Sequence, residues 1–136
     1  MKELKLAATV ENIEVVTDFV NEHLEALDCP MKAQMQIDVA IDELFSNIAH
    51  YAYKPAVGEA TVRVEVAENP SAVVITFIDS GVPYNPLAKE DPDVTLSAEE
   101  RAIGGLGIFM VKKTMDEVRY EYKDGQNVLA IKKNLN

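Results

Sequence analysis

Two pairs of strand-like segments, each pair joined by a short turn, constrain the fold of this chain most. The first pair covers 62–66 and 72–78, and the second covers 118–122 and 128–132. Asp124-Gly125, between the members of the second pair, is a strong hairpin signal. Two consecutive hairpins predict a sheet that is mainly antiparallel. The almost continuous apolar character of 72–78 predicts a strand covered on both faces.

Three other segments have the apolar spacing of amphipathic helices. The first begins at Glu11, the second runs from Pro30 to about Tyr53, and the third begins around 104–107. The apolar stripe of the second helix is Ile37, Ile41, Leu44 and Ile48. With a short first strand near the N-terminus, the predicted order is β-α-α-β-β-loop-α-β-β. This order is typical of an α+β, two-layer sandwich with a mixed, mainly antiparallel sheet and three helices on one face.

Composition limits the classes of function. The 136 residues fit a single domain spanning 1–136. The net charge of -10, from 23 acidic and 13 basic residues, argues against direct nucleic-acid binding and against anionic membranes. One cysteine, Cys29, excludes a disulfide within the chain. The N-terminus has no continuous apolar stretch and no run approaches membrane-spanning length, so we expect a cytoplasmic protein without a signal peptide.

The second helix carries the first set of candidate functional residues. Glu43, Asn47 and His50 follow an i, i+4, i+7 spacing, which places them on one stripe beside the apolar face. A carboxylate can activate a hydroxyl, and an amide oxygen suits magnesium, which keeps several of its waters. The same spacing is also compatible with an ordinary solvated helix face. A single helical His such as His50 is more often a packing or surface residue than a ligand.

The end of the apolar run 72–78 provides a second candidate. Asp79 follows the run, and Gly81 follows two residues later. A carboxylate at a pocket mouth can accept a hydrogen bond from an adenine amine, and a residue without Cβ lets the backbone approach a flat ring. The alternative is a plain turn, because Asp, Ser, Gly and Pro are common turn residues.

The third candidate is the glycine-rich start of the third helix. Closely spaced glycines at a helix N-terminus expose backbone N–H groups that favour phosphate. These glycines are Gly104, Gly105 and Gly107. No Gly-Lys-Ser/Thr follows, so the segment is not a P-loop. A flexible hinge is the alternative. Residues 81–103, before the third helix, have no clear period and contain three prolines, which is typical of a functional or disordered loop.

Taken together, these features resemble the GHKL nucleotide-binding superfamily, and most closely its stand-alone anti-sigma-factor serine/threonine kinases of the RsbW type. The segment Glu43 to Ala52 resembles the N box of that family. The segment Asp79 to Pro86 resembles the G1 box, with Pro where histidine kinases usually carry a second Gly. Gly104-Gly105-Leu106-Gly107-Ile108 resembles the G2 box.

The resemblance implies a Bergerat-type fold that binds ATP with magnesium. Glu43 would be the general base and Asn47 the magnesium ligand. The implied nucleotide-binding residues are Asn47, Asp79, Gly81, Pro83, Arg101, Gly104, Gly105, Leu106 and Gly107. Asp79 would accept the adenine amine, Arg101 is a candidate for steadying the γ-phosphate, and roughly 82–103 would form the ATP lid. The family often has a Thr near the adenine on its late strands, but 127–133 contains none, and Ala130 is the candidate for that place.

The resemblance also implies a protein kinase that phosphorylates a small STAS-type anti-sigma antagonist. It further implies sequestration of a sigma factor while nucleotide is bound, and a homodimer. A rival function is a nucleotide-gated binding module without catalysis. A histidine kinase catalytic fragment is disfavoured, because the chain has no room for a dimerising helix pair. A purely structural interaction domain would leave the three motifs as a coincidence.

Overall fold

The computed structural model describes residues 1–53, 56–67, 71–88 and 105–135. Its α-helices and strands follow the predicted order. The strands are β1 (Lys2–Ala7), β2 (Glu59–Ala67), β3 (Ala72–Asp79), β4 (Glu117–Lys123) and β5 (Gln126–Asn134). The α-helices are α1 (Ile13–Ala26), α2 (Met31–Asn47) and α3 (Gly105–Thr114). No helix within these ranges is both long and apolar enough to cross a membrane.

The five strands form one sheet in the order β1-β2-β3-β5-β4. All four neighbouring pairs are antiparallel, so the expected antiparallel character is confirmed and the sheet is not mixed. The β2–β3 and β4–β5 pairs are the predicted hairpins. The chain returns through α3 to the far side of β3, so β5 pairs with β3 and its residue Asn127 lies directly opposite Asp79.

The three helices pack on one face of the sheet, as predicted, and the core lies between the two layers. The predicted stripe of α2 is buried throughout, from Ile37 to Ile48. From the sheet, Val62, Ile75 and Phe77 pack into the same apolar cluster. The burial of these side chains explains why the helical and alternating periods of the sequence predicted the architecture correctly.

The opposite face of β3 departs from the prediction. Val74 and Thr76, which point away from the helices, are only half-buried, so a strand covered on both faces was wrong in part. Because β3 is the central strand, its neighbours β2 and β5 shield that face from the sides. Apolar side chains are therefore tolerated there without a second layer of helices.

The end of α2 also differs from the prediction. The α-helix ends at Asn47, and a five-residue π-helix, Ile48–Ala52, replaces the last turn that was expected to reach Tyr53. His50 lies in this wider turn and is exposed. Short π-helical segments occur often at functional sites. Here the segment is followed by Tyr53, whose hydroxyl accepts from the Ser80 N–H at 2.7 Å and so ties the helix end to the exit of β3.

Candidate functional site

Asp79, the last residue of β3, is buried with 6% of its surface exposed. Its Oδ1 accepts two hydrogen bonds, from the Gly81 N–H and from Nδ2 of Asn127, each at 2.9 Å. The first closes a local turn, which was the alternative interpretation of this segment, and the second comes from the neighbouring strand. Among the described residues, both bonds end on Oδ1, so Oδ2 is the oxygen that remains for a ligand.

A pocket opens beside Asp79, between the end of α2 and the sheet. Its walls are mainly apolar, with a few polar groups, as is usual for small-molecule sites. The lining residues include Ile48, Tyr51, Ala52, Phe77, Tyr84 and Leu129 together with Asn47, Asp79 and Asn127. The cavity has a volume of about 30 Å³, enough for about two water molecules. A flat ligand larger than this volume therefore requires lining side chains to move apart. Two of the lining side chains are Tyr51 and Tyr84, whose ring centres are 5.9 Å apart.

Gly81 lets the chain leaving β3 pass closely over the π-helix. A Cβ at this position would overlap the backbone carbonyl of Ala52. The next residue, Val82, donates its N–H to that same carbonyl at 2.9 Å. Gly81 itself does not line the pocket and Pro83 is exposed, whereas Val82 and Tyr84 do line it. The structure thus places the glycine behind the pocket wall, where it shapes the wall.

The α2 candidates lie at the other end of the pocket. Asn47 lines the pocket, and its Nδ2 donates to Oε1 of Glu43 at 3.5 Å, one helical turn away. Among the described residues, Asn47 Oδ1 accepts no hydrogen bond. An amide oxygen and a carboxylate one turn apart are oxygen donors of the kind that magnesium prefers, with its remaining positions filled by water. Asn47 therefore fits the role of a magnesium ligand, with the Glu43 carboxylate beside it.

The start of α3 meets α2 at this same end. A Cβ on Gly107 would overlap the carboxylate of Glu43, so the absence of a side chain at 107 makes room for Glu43. A carboxylate is favoured beside the first turn of a helix, where the macrodipole is positive. Gly105 is the first residue of α3, and Leu106 follows it. Gly104, Arg101 and most of the expected lid, 89–103, lie outside the described residues.

Sequence reasoning missed Asn127. The place beside Asp79 that was considered for Ala130 is occupied by Asn127, since Ala130 pairs with Thr76 and lines a hollow with Val74 and Arg119 instead. A signal was present in the sequence. Asn127 shares the inward face of β5 with Leu129 and Ile131, and Asn is depleted in strands.

Tyr120, on β4, was also missed and completes this polar cluster. Its hydroxyl donates to Oδ1 of Asn127. Burial raises the pKa of the Tyr120 phenol, a hydrogen bond with the Tyr84 backbone opposes that rise, and the charge of Asp79 adds to it. The hydroxyl therefore remains a donor at neutral pH.

Comparison with known proteins gives this arrangement a family. A histidine kinase-like ATPase domain family matches residues 6–133. Relatives named serine-protein kinase RsbW are 25% identical over 134 residues in Bacillus mycoides and 31% identical over 98 residues in Bacillus cereus. These matches cover 96% and 69% of this chain, and 82% and 60% of the respective relatives.

The fold has a counterpart among solved structures. A structure of the RsbU and RsbW domains of a Mycobacterium tuberculosis protein matches 99% of this chain and 33% of that one, with a TM-score of 0.66 and 17% identity. The α+β architecture with an open antiparallel sheet is therefore that of an RsbW-like domain. The chain belongs to the histidine kinase-like ATPase domain family, and the relatives it resembles within that family are RsbW-type serine-protein kinases.

Proposed function

We propose that this domain binds ATP with magnesium and transfers the γ-phosphoryl group to a Ser or Thr hydroxyl of a small regulatory protein. One observation carries the proposal. A single pocket joins Asp79 at one end to Asn47 at the other, and Asn47 is bonded to Glu43, which lies against the first turn of α3. The pocket and these contacts thus link each of these groups to the next. In this proposal Asp79 would bind the adenine, Asn47 the metal and the first turn of α3 the phosphates, and Glu43 would be the general base.

The base would enter at the Asp79 end. Oδ2 of Asp79 would accept a hydrogen bond from the exocyclic amine of adenine, while apolar walls such as Ile48 and Leu129 would cover the ring faces. Because the cavity is only about 30 Å³, Tyr51 and Tyr84 would move apart as the base enters. Both are aromatic and lie on the pocket wall, so they would keep contact with a flat ring after moving.

The phosphates would lie at the α3 end. Backbone N–H groups of the first turn, from Gly105 to Gly107, would receive them, helped by the positive end of the helix. The Glu43 carboxylate borders this turn and would repel a phosphate. Asn47 would hold a divalent cation there, which would reduce this repulsion by offsetting charge on the phosphates.

In the transfer step, Glu43 would orient the acceptor hydroxyl and take its proton. The hydroxyl oxygen forms a bond to the γ-phosphorus while the bond from that phosphorus to the β–γ bridging oxygen breaks, so ADP leaves with that electron pair. Bound magnesium supplies neutralisation of the developing charge. The amides of the α3 first turn would stabilise the same charge without having to reorganise.

The partners are proposed from the resemblance to RsbW-type kinases and not from geometry. An RsbW-type kinase implies a STAS-type antagonist as the protein substrate and a sigma factor as a sequestered partner. It also implies a homodimer working in the cytoplasm. Arg101 and Gly104 belong to this proposal as contacts to the phosphates, and 82–103 belongs to it as the ATP lid.

The experiment that tests the proposal uses Glu43→Ala with a purified STAS-domain substrate and radiolabelled ATP. Loss of a general base typically lowers the rate by about 10²–10⁴-fold. ATP binding should survive, and at about 100 times the dissociation constant it should stabilise both proteins by about 2.7 kcal/mol in thermal unfolding. Asp42→Ala is the matched control, because it removes an exposed carboxylate directly before Glu43 on α2. It should transfer the phosphoryl group at the normal rate.

The outcomes separate the rival functions. An active Glu43→Ala variant would remove the role of Glu43. ATP binding without any transfer by the unaltered protein, together with partner capture that depends on nucleotide, would instead identify a nucleotide-gated binding module. The absence of any stabilisation by millimolar ATP would refute nucleotide binding itself.

A further inference from the structure

Asn127 donates a hydrogen bond to the carboxylate of Asp79, on which the proposed adenine site depends. It is 5% exposed, and it and Asp79 are the buried polar residues of the described chain. Its side chain makes four hydrogen bonds. Nδ2 donates to Asp79 Oδ1 at 2.9 Å and to the Val82 carbonyl at 2.8 Å, and Oδ1 accepts from the Tyr84 N–H at 3.1 Å and from the Tyr120 hydroxyl.

These partners fix which way the Asn127 amide points. The Val82 carbonyl can only accept, so it must face Nδ2, and the Tyr84 N–H can only donate, so it must face Oδ1. Flipping the amide would set donor against donor and acceptor against acceptor at both contacts. Asn127 therefore presents a donor to Asp79.

This fixed donor decides which oxygen of Asp79 is left to face a ligand. The N–H groups of Asn127 and Gly81 both engage Oδ1, which leaves Oδ2 as a hydrogen-bond acceptor. We propose that Asn127 is a positioning residue that makes the site selective for a 6-aminopurine over a 6-oxopurine. This inference rests on the proposed nucleotide site, and it assigns the selectivity to the Asp79–Asn127 pair.

The substitution Asp79→Asn tests whether Asn127 orients the side chain at position 79 or only provides a polar neighbour. The two fixed donors would hold the amide oxygen of the new side chain where Oδ1 now lies. Its NH₂ group would then replace Oδ2, so an acceptor becomes a donor. With its amide held in this way, the variant should lose its preference for the 6-amino group of ATP and favour the 6-oxo group of inosine triphosphate (ITP).

The experiment is calorimetric titration of ATP and ITP, with magnesium, into the full chain. The unaltered protein should prefer ATP by about tenfold or more, as expected for a hydrogen bond to a charged acceptor. Asp79→Asn should bind ITP at least as tightly as ATP. Asn127→Ala should reduce the preference for ATP to about threefold or less. Combined with Asp79→Asn, it should abolish the reversal, since the new amide is no longer held.

Two further variants serve as controls. Asn134→Ala removes the same type of side chain from the other end of β5, opposite Ala72, and should keep the full preference for ATP. Asn127→Ser retains a short hydroxyl donor beside Asp79 and should recover part of the preference. Circular dichroism at the titration temperature verifies that each variant is folded.

Several results would overturn the inference. If Asn127→Ala weakens both nucleotides equally and keeps their ratio, Asn127 is only a structural residue. If the Asp79→Asn variant still prefers ATP, the amide of the new side chain is not held in the proposed orientation. This test uses a variant in which Asn127 is intact. If the unaltered protein binds neither nucleotide, the proposed function fails and this inference fails with it. Binding of both without preference refutes the selectivity alone.

Discussion

Two Asp–Asn pairs in this domain are built in opposite ways. Asp79 and Asn127 lie on neighbouring strands, and every hydrogen bond of the Asn127 amide has a fixed partner. Asn21 and Asp38 lie on α1 and α2 and hydrogen bond to each other. In that second pair the Oδ1 atoms of both residues are buried without a partner among the described residues.

The electrostatic consequences differ accordingly. Burial raises the pKa of Asp38, and the hydrogen bond from Asn21 only partly offsets the rise. Burial also raises the pKa of the nearby Cys29 thiol, and the charge of Asp38 adds to that rise. A buried acceptor that lacks a donor is a cost, while a fully paired network fixes one arrangement. At the proposed nucleotide site the Asn127 amide is fully paired, and Asp79 keeps one oxygen, Oδ2, for a ligand.

The largest expected effect comes from breaking the paired network. Asn127→Leu removes partners from Asp79, from Tyr120 and from two backbone groups, all in a buried site. We expect a loss of about 3 kcal/mol in the free energy of unfolding, measured by urea titration. Asn21→Leu, in the other pair, should change it by less than about 1 kcal/mol, because it also removes an unpaired oxygen. Equal losses of unfolding free energy from Asn127→Leu and Asn21→Leu would contradict the difference proposed between the two pairs.

A smaller effect should follow the removal of one member of the network. Tyr120→Phe keeps the ring and removes the hydroxyl that donates to Asn127. The expected loss is about 1 kcal/mol, the net value of one hydrogen bond. Tyr122→Phe, two residues along β4 and exposed, should leave thermal unfolding unchanged. A Tyr120→Phe protein as stable as the unaltered one would mean that Tyr84 alone satisfies the Asn127 oxygen.

The smallest effect concerns the incompletely paired Asp38. A carboxyl whose pKa is raised on folding stabilises the protein when protonated, and that contribution is lost as pH rises through the raised pKa. Asp38→Asn should therefore stabilise the domain at pH 7, by less than about 1 kcal/mol because the side chain is partly exposed.

The pH dependence provides the check. The advantage of Asp38→Asn should shrink as pH falls towards 3.8, the ordinary pKa of Asp, since the unaltered side chain then becomes neutral as well. Thermal unfolding of both proteins across this range measures the difference. A gain that grows at low pH would show that Asp38 is not penalised by burial.

Local patterns were sufficient for most of the fold. The apolar periods of α1 and α2, and the hairpins β2–β3 and β4–β5, depend on neighbours along the chain, so the sequence predicted them correctly. The π-helix after Asn47 was not predicted, because its wider turn is linked to Gly81 and Val82, which lie far along the chain.

The same distinction applies to the site. The sequence was enough to propose Glu43, Asn47, Asp79 and the glycines of α3, because these residues belong to short motifs with a recognisable spacing. That Glu43 fits against Gly107, and that Asp79 depends on Asn127, was decided by the tertiary structure. The physical reason is that such contacts join residues 48 or more positions apart, through strand register and helix packing that no local period encodes.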